Sequence, residues 1–187
     1  MKIIAFAASN SSNSINKKLA TNAASFFQGE TIEILDLNDY EMPLFSSDRV
    51  AKNGIPQLAK DFARKIDESD LLIISLAEHN GSYSVAFKNI FDYISRLPNR
   101  KAFGEKPVLL MATSPGGRGG ATVLEMAKHN LPYSGGNVVA TFSLPGFYEN
   151  FDDSKGIINE RLRSELENTT SLVKGLVLRG QLQPSPN

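Results

Sequence analysis

The stretch from Ser9 to Asn16 reads Ser-Asn-Ser-Ser-Asn-Ser-Ile-Asn, four serines and three asparagines in eight residues. Short hydroxyl and amide side chains at this density offer hydrogen bonds without filling the space around them. A short apolar run, Lys2 to Ala8, precedes the stretch, and an Ala-, Leu- and Phe-containing segment from Lys17 to Phe27 follows it. A strand that ends in hydroxyls and then opens a helix makes an anion site. The first backbone N–H groups of the helix have no partner of their own, and the helix dipole places partial positive charge there. Ser14 would also serve as an N-cap, but capping needs one such residue and the loop supplies seven. The chemistry expected is a bound phosphate. No glycine occurs between Met1 and Gly29, which excludes a Gly-x-Gly-x-x-Gly dinucleotide fingerprint and a Walker A loop. With no cation in the loop before Lys17, a monophosphate would be held by dipoles and hydroxyls. That suits a mononucleotide better than a triphosphate with magnesium.

Two further loops carry unusual residues. Ala77-Glu78-His79-Asn80-Gly81-Ser82-Tyr83-Ser84 contains the turn dipeptide Asn80-Gly81, in which glycine takes positive φ and lets backbone N–H groups approach a flat ligand edge. Without a ligand, the same residues read as a turn followed by a capping serine, with Glu78 and His79 solvated. Thr113-Ser114-Pro115-Gly116-Gly117-Arg118-Gly119-Gly120 holds four glycines in five residues, an entropic cost beyond what one turn requires. It reads as a flexible or closely approachable backbone surface whose Arg118 could meet an anion or a ring, or as a mobile loop with a solvated arginine.

The elements that must position these loops alternate along the chain. Apolar runs fall at 3–8, 31–37, 71–76, 108–112 and 138–144. Amphipathic segments of helical length fall at 16–27, 55–68, 85–97, 121–131 and 154–178. This alternation predicts an α/β fold with a parallel sheet and helices on both faces. Five strands suit the flavodoxin-like order 2-1-3-4-5, a three-layer α/β/α sandwich. Ligands bind such sheets beyond the carboxyl ends of the strands, where the order reverses. The three loops follow strands one, three and four. One domain over residues 1–180 and a disordered tail over 181–187 are expected.

Composition narrows the function. With 20 basic and 20 acidic side chains the formal net charge is zero, which argues against a general nucleic-acid binder. There is no cysteine and there are only two histidines. Thiolate catalysis and cysteine metal sites are therefore excluded, and a histidine cage is not expected; no metal is assigned. No apolar run reaches membrane-spanning length, and the N-terminal run is too short for a signal peptide. A cytoplasmic location is the expectation.

Taken together the three loops resemble those of the NADPH-dependent FMN reductase family of flavodoxin-like proteins, which includes quinone, chromate and azo-dye reductases. The family's first loop, roughly Gly-Ser-x-Arg-x-x-Ser-x-Asn, is matched by Ser9, Ser14 and Asn16. Ala8 and Ser11 stand in place of its Gly and Arg. The second, roughly Pro-Glu-Tyr-Asn-Gly-Ser with a following Lys-Asn pair, is matched by Glu78, Asn80, Gly81, Ser82, Lys88 and Asn89. Ala77 and His79 replace its Pro and Tyr. Ser114, Pro115, Gly116, Gly119 and Gly120 match the third.

The resemblance implies FMN as cofactor and NADPH or NADH as co-substrate. Ser9, Ser11, Ser14, Ile15 and Asn16 would surround the phosphate. Glu78, His79, Asn80, Gly81 and Ser82 would line the flavin ring, with Ser114, Pro115, Gly116, Gly117 and Arg118 on its other side. The flavin would carry the chemistry, with no catalytic side chain, in ping-pong turnover from NAD(P)H to a quinone, flavin or similar small acceptor. A homodimer or homotetramer is implied, with no nucleic-acid or membrane partner. Two other readings stand beside this one: an electron carrier without nicotinamide activity, and a regulatory domain that has lost its cofactor. The zero net charge counts against a carrier that docks on basic partners.

Overall fold

The computed structural model describes residues 1–180; the tail expected at 181–187 lies outside the described residues. In chain order, β1 (Lys2–Ala8) leads to α1 (Ile15–Ser25), then β2 (Thr31–Leu35) and a 3-10 turn, Leu37–Tyr40. Next come α2 (Ser47–Asn53), α3 (Gln57–Asp67), β3 (Leu71–Leu76), α4 (Val85–Ile94), β4 (Lys106–Thr113) and α5 (Ala121–Asn130). A second 3-10 turn, Leu131–Ser134, precedes β5 (Gly136–Leu144) and α6 (Phe147–Asn150). The short strands β6 (Phe151–Asp152) and β7 (Gly156–Ile157) then lead to α7 (Glu160–Leu178).

The five long strands form one parallel sheet in the order β2-β1-β3-β4-β5, as the alternation predicts. Side-chain period two divides the core between its faces. Ile4, Phe6, Ala8, Leu72, Ile74, Leu76, Val108, Leu110 and Ala112 pack with α3, α4 and α5. Ile3, Ala5, Leu71, Ile73, Leu109 and Met111 pack with α1 and α7. Burial on both faces is why these strands read as continuous apolar runs rather than alternating ones. Parallel register brings Ala8 opposite Leu76, and Leu76 opposite Ala112. The loops after β1, β3 and β4 therefore leave the sheet from one edge, side by side.

Several boundaries differ from the sequence reading. The second strand stops at Leu35 rather than Leu37, because the Asp36 carboxylate accepts from Asn38 N–H at 2.9 Å and caps the 3-10 turn. The fourth helix stops at Ile94, short of Leu97. The last helix begins at Glu160, not Ser154, with Asn159 as its N-cap. Ser154 lies instead in the turn between β6 and β7, where its N–H and hydroxyl both donate to Asp152. Among the described residues no helix is long and apolar enough to cross a membrane.

Candidate functional site

The loop after β1 opens α1 in the way its residues dictate. Ser14 is the N-cap, accepting from Lys17 N–H through its hydroxyl at 3.2 Å, and Ser9 Oγ accepts from Ser11 N–H at 3.2 Å. The backbone N–H groups of Ser12, Asn13, Ser14, Ile15 and Asn16 find no acceptor among the described residues. N–H groups left unpaired at a helix N-terminus are donors that an anion can use. The two lysines that follow in α1 are each paired with a carboxylate. Lys17 pairs with Asp36 at 2.5 Å and Lys18 with Asp153 at 2.8 Å. The Lys17 ammonium, helped by Asn38 N–H, holds the Asp36 carboxyl below its usual pKa.

Asn16 has a different task from its neighbours. Its side chain is buried, and its Oδ1 accepts from the Ser75 hydroxyl at 2.7 Å and from Thr113 N–H at 3.1 Å. Its Nδ2 donates to Thr113 O at 3.2 Å. The amide thus bolts α1 to the ends of β3 and β4, and only its backbone N–H is left for a ligand.

The loop after β3 is a tight hairpin turn. His79 and Ser82 exchange backbone hydrogen bonds at 3.0 Å each, with Asn80 at φ 52° and Gly81 at φ 74° between them. That conformation is the one Asn-Gly favours. The N–H groups of Asn80 and Gly81 at its tip donate to no described group. His79 is exposed. Glu78 is turned inward: its Oε2 accepts from Val123 N–H at 3.0 Å. That caps α5, whose own N-cap residue, Gly120, has no side chain for the purpose. Ser84, 1% exposed, caps α4 and donates its hydroxyl to Ala8 O at 2.8 Å, tying this loop to the end of β1. Tyr83 packs edge-on against Phe87 with ring centroids 5.2 Å apart. Its hydroxyl is buried without a described partner, and burial pushes its pKa up to about 12.

The loop after β4 is anchored rather than loose. Gly146 N–H and Gly119 N–H both donate to Gly116 O, Phe147 N–H donates to Ser114 O, and the Ser143 hydroxyl donates to Gly119 O. Its glycines divide in two. A Cβ on Gly119 would stand 2.3 Å from Ser143 Oγ, and one on Gly120 2.9 Å from Ala112 Cβ, so both are required by close packing. Gly116 and Gly117 face open space. Pro115 is exposed, Ser114 bonds back to Gly116 O at 3.2 Å, and Arg118 donates to Thr122 Oγ1 at 2.7 Å.

The structure thus brings the three loops together through Asn16–Thr113, Ser84–Ala8 and Glu78–Val123. It also adds residues 38–54, between the second apolar run and the second helical segment. Asn89 latches it: Oδ1 accepts from Phe45 N–H at 2.8 Å, and Nδ2 donates to Met42 O and Pro43 O at 3.2 Å each. A cleft of about 230 Å³ opens between this segment and the turn, bordered by Asn10, Tyr40, Leu44, His79 and Val85. Its apolar members are scattered in sequence, and His79 and Asn89 are the members that the second loop's motif singles out.

A model of the NADPH-dependent FMN reductase family matches residues 1–149. A protein of Mycoplasma pneumoniae is 30% identical over 147 residues, 76% of this chain and 86% of its own length. A 2-hydroxy-1,4-benzoquinone reductase of a Burkholderia species is 28% identical over 166 residues, 88% of this chain and 87% of its own. Among solved structures, the flavoenzyme NAD(P)H:(acceptor) oxidoreductase of Paracoccus denitrificans shares the fold, with a TM-score of 0.76 at 21% identity. That match covers 95% of this chain and 97% of the other. Residues 1–149 span all five sheet strands and all three loops, and the chain therefore belongs to the NADPH-dependent FMN reductase family, as an NAD(P)H-dependent oxidoreductase with FMN as its cofactor.

Proposed function

We propose that the three loops form the FMN site and that the protein is a quinone-reductase-type enzyme. The observation that carries this is the row of five unpaired N–H groups from Ser12 to Asn16. A phosphate monoester dianion needs several donors at one point, and this cradle supplies them with the helix dipole behind them. The second supporting feature is the Asn80-Gly81 tip, whose two free N–H groups suit the polar edge of a flavin ring. The residues present therefore fit FMN.

FMN, when bound, would supply the redox chemistry, hydride transfer from NAD(P)H to a small acceptor in ping-pong order. The chain's residues bind and orient. Ser9, Ser11, Ser14 and Ile15 shape the phosphate cradle, and Asn16 fixes it to the sheet. The His79–Ser82 turn holds one edge of the ring, with Glu78 anchoring that turn to α5. Ser114 to Arg118 border the ring's other side, with Gly116 and Gly117 giving it room. The cleft beside His79, walled by Tyr40, Leu44 and Val85, is compact and mixes apolar side chains with Asn10, Asn38, Glu41 and Asn89. That lining suits a flat quinone of one or two rings.

The reading includes a homo-oligomer. Leu44 and Val85 stand 65% and 68% exposed beside the cleft, and a second copy would cover them. Light scattering across a concentration range tests this. The reading as a whole is tested by the absorption spectrum of the protein purified without added flavin, followed by anaerobic NADPH. A flavin spectrum that bleaches and then recovers on adding a benzoquinone is expected. Absence of flavin even after soaking with FMN would overturn it.

A further inference from the structure

The outer wall of the phosphate loop opens into a second and larger groove, of about 650 Å³. It begins at Ser12, Asn13 and Ser14 and runs along α1 past Lys17, Lys18 and Thr21 to Ser25. Its opposite wall is the β6–β7 turn, with Phe151 and Lys155. Ser14 to Ser25 spans about 16 Å of helix, longer than an extended adenylate. The volume lies in the range of small-molecule sites.

The lining has a consistent chemistry. Lys18 is balanced by Asp153, and Lys17 by Asp36 on the far side. Lys155 is exposed and stands beside the Asp152 carboxylate, which accepts from its backbone N–H at 3.0 Å. Asn22 lies in the wall, with its Oδ1 shielded from solvent and without a described partner. Gly156 presses against it: a Cβ there would sit 2.3 Å from Asn22 Nδ2. The turn therefore approaches α1 as closely as a glycine permits and packs over the Asn22 amide. Phe151 is the aromatic member of the lining, half-buried and stacked on Phe147 at 4.7 Å. A flat heteroaromatic base would have an aromatic neighbour there.

We propose that this groove is an adenylate site continuous with the phosphate cradle, so that the protein binds FAD as well as FMN. The AMP half would leave the cradle past Ser12–Ser14 and lie between α1 and the β6–β7 turn. The inference rests on placement of the flavin phosphate at Ser12–Asn16. FAD is favoured over a separate nucleotide because Ser12, Asn13 and Ser14 of the cradle themselves line the groove.

The test is calorimetric titration of flavin-free full-length protein with FMN and FAD, for wild type and for Thr21→Glu and Lys155→Glu. Both positions are exposed and neither belongs to the cradle. FAD is expected to bind wild type within tenfold of FMN. Each variant should weaken FAD at least tenfold while weakening FMN less than threefold, since charges in the groove reach the cradle only through about a Debye length of screening. FAD bound more than tenfold more weakly than FMN, or both flavins weakened equally in the variants, would overturn the proposal. AMP binding to the FMN-loaded protein with FAD rejected would assign the groove to a separate nucleotide, and would also overturn it. Failure of both flavins to bind would remove the cradle reading as well, an outcome distinct from the loss of FAD alone.

Discussion

The side-chain amide of Asn16 and the backbone of Thr113 exchange two hydrogen bonds, at 3.1 and 3.2 Å, across 97 residues of sequence. The pairing extends the β4 ladder with a side chain where the next strand would have supplied a backbone. It ties the start of α1, and the loop proposed as the phosphate cradle, to the end of β4.

Asn16→Ala strands the Thr113 N–H, the Thr113 carbonyl and the Ser75 hydroxyl together in a buried site. A loss of about 2–4 kcal/mol is expected from the orphaned groups. Thermal unfolding should report that loss, and the flavin-to-protein ratio of the purified variant should fall with it. Normal stability and full flavin content would show that the bolt is dispensable.

Glu78 acts on α5 through Val123 N–H. Glu78→Gln retains an oxygen acceptor and loses only the charge facing the helix dipole, a change of about 0.5–1 kcal/mol. Glu78→Ala loses the cap outright, about 1–2 kcal/mol. Because the carboxylate is used on the helix, KM for NADPH should change little in Glu78→Gln. A large rise in KM there would place the carboxylate in contact with substrate.

The glycines after β4 separate packing from access. Gly119→Ala forces a Cβ into Ser143 Oγ and the Pro145 backbone at a φ of 59°, and should destabilise by more than about 2 kcal/mol. Gly117→Ala meets nothing within 4 Å, so its melting temperature should match wild type. Any effect it has should fall on flavin binding. Denaturant titration of the two variants side by side checks the contrast.

Tyr83 gives an alkaline signature. The unfolded chain ionises this phenol near pH 10, while the folded protein keeps it neutral to about 12 because of burial. Between those values the unfolded state sheds a proton that the folded state retains, so stability is intact below pH 10 and falls as pH rises towards 12. Tyr83→Phe should lose less stability over that window. At neutral pH it should be more stable by about 1 kcal/mol, since its removed hydroxyl is buried and unpaired. Chemical denaturation of both proteins at pH 8 and pH 11 measures the difference.

Much of the frame was legible in the sequence because its signals are local. Residues 71–76 are bounded by Asp70 and Glu78, and burial on both faces makes such strands uniformly apolar, so β3 falls where the sequence places it. Helix α2 was missed because none of its residues is buried, leaving no apolar period to read. The site divides in the same way. The Asn80-Gly81 turn is a two-residue preference and could be foreseen. The uses of Asn16 and Glu78 depend on partners 97 and 45 residues away, and only the assembled sheet edge shows that both brace the site from within.

The proposed phosphate cradle is built from main-chain donors, with both neighbouring lysines paired to carboxylates. Such a site is written in conformation rather than in residue identity. Ser12 and Asn13 can drift across a lineage without erasing it, provided the turn into α1 keeps its shape. A search that reads only side chains will overlook cradles of this kind in more distant kin.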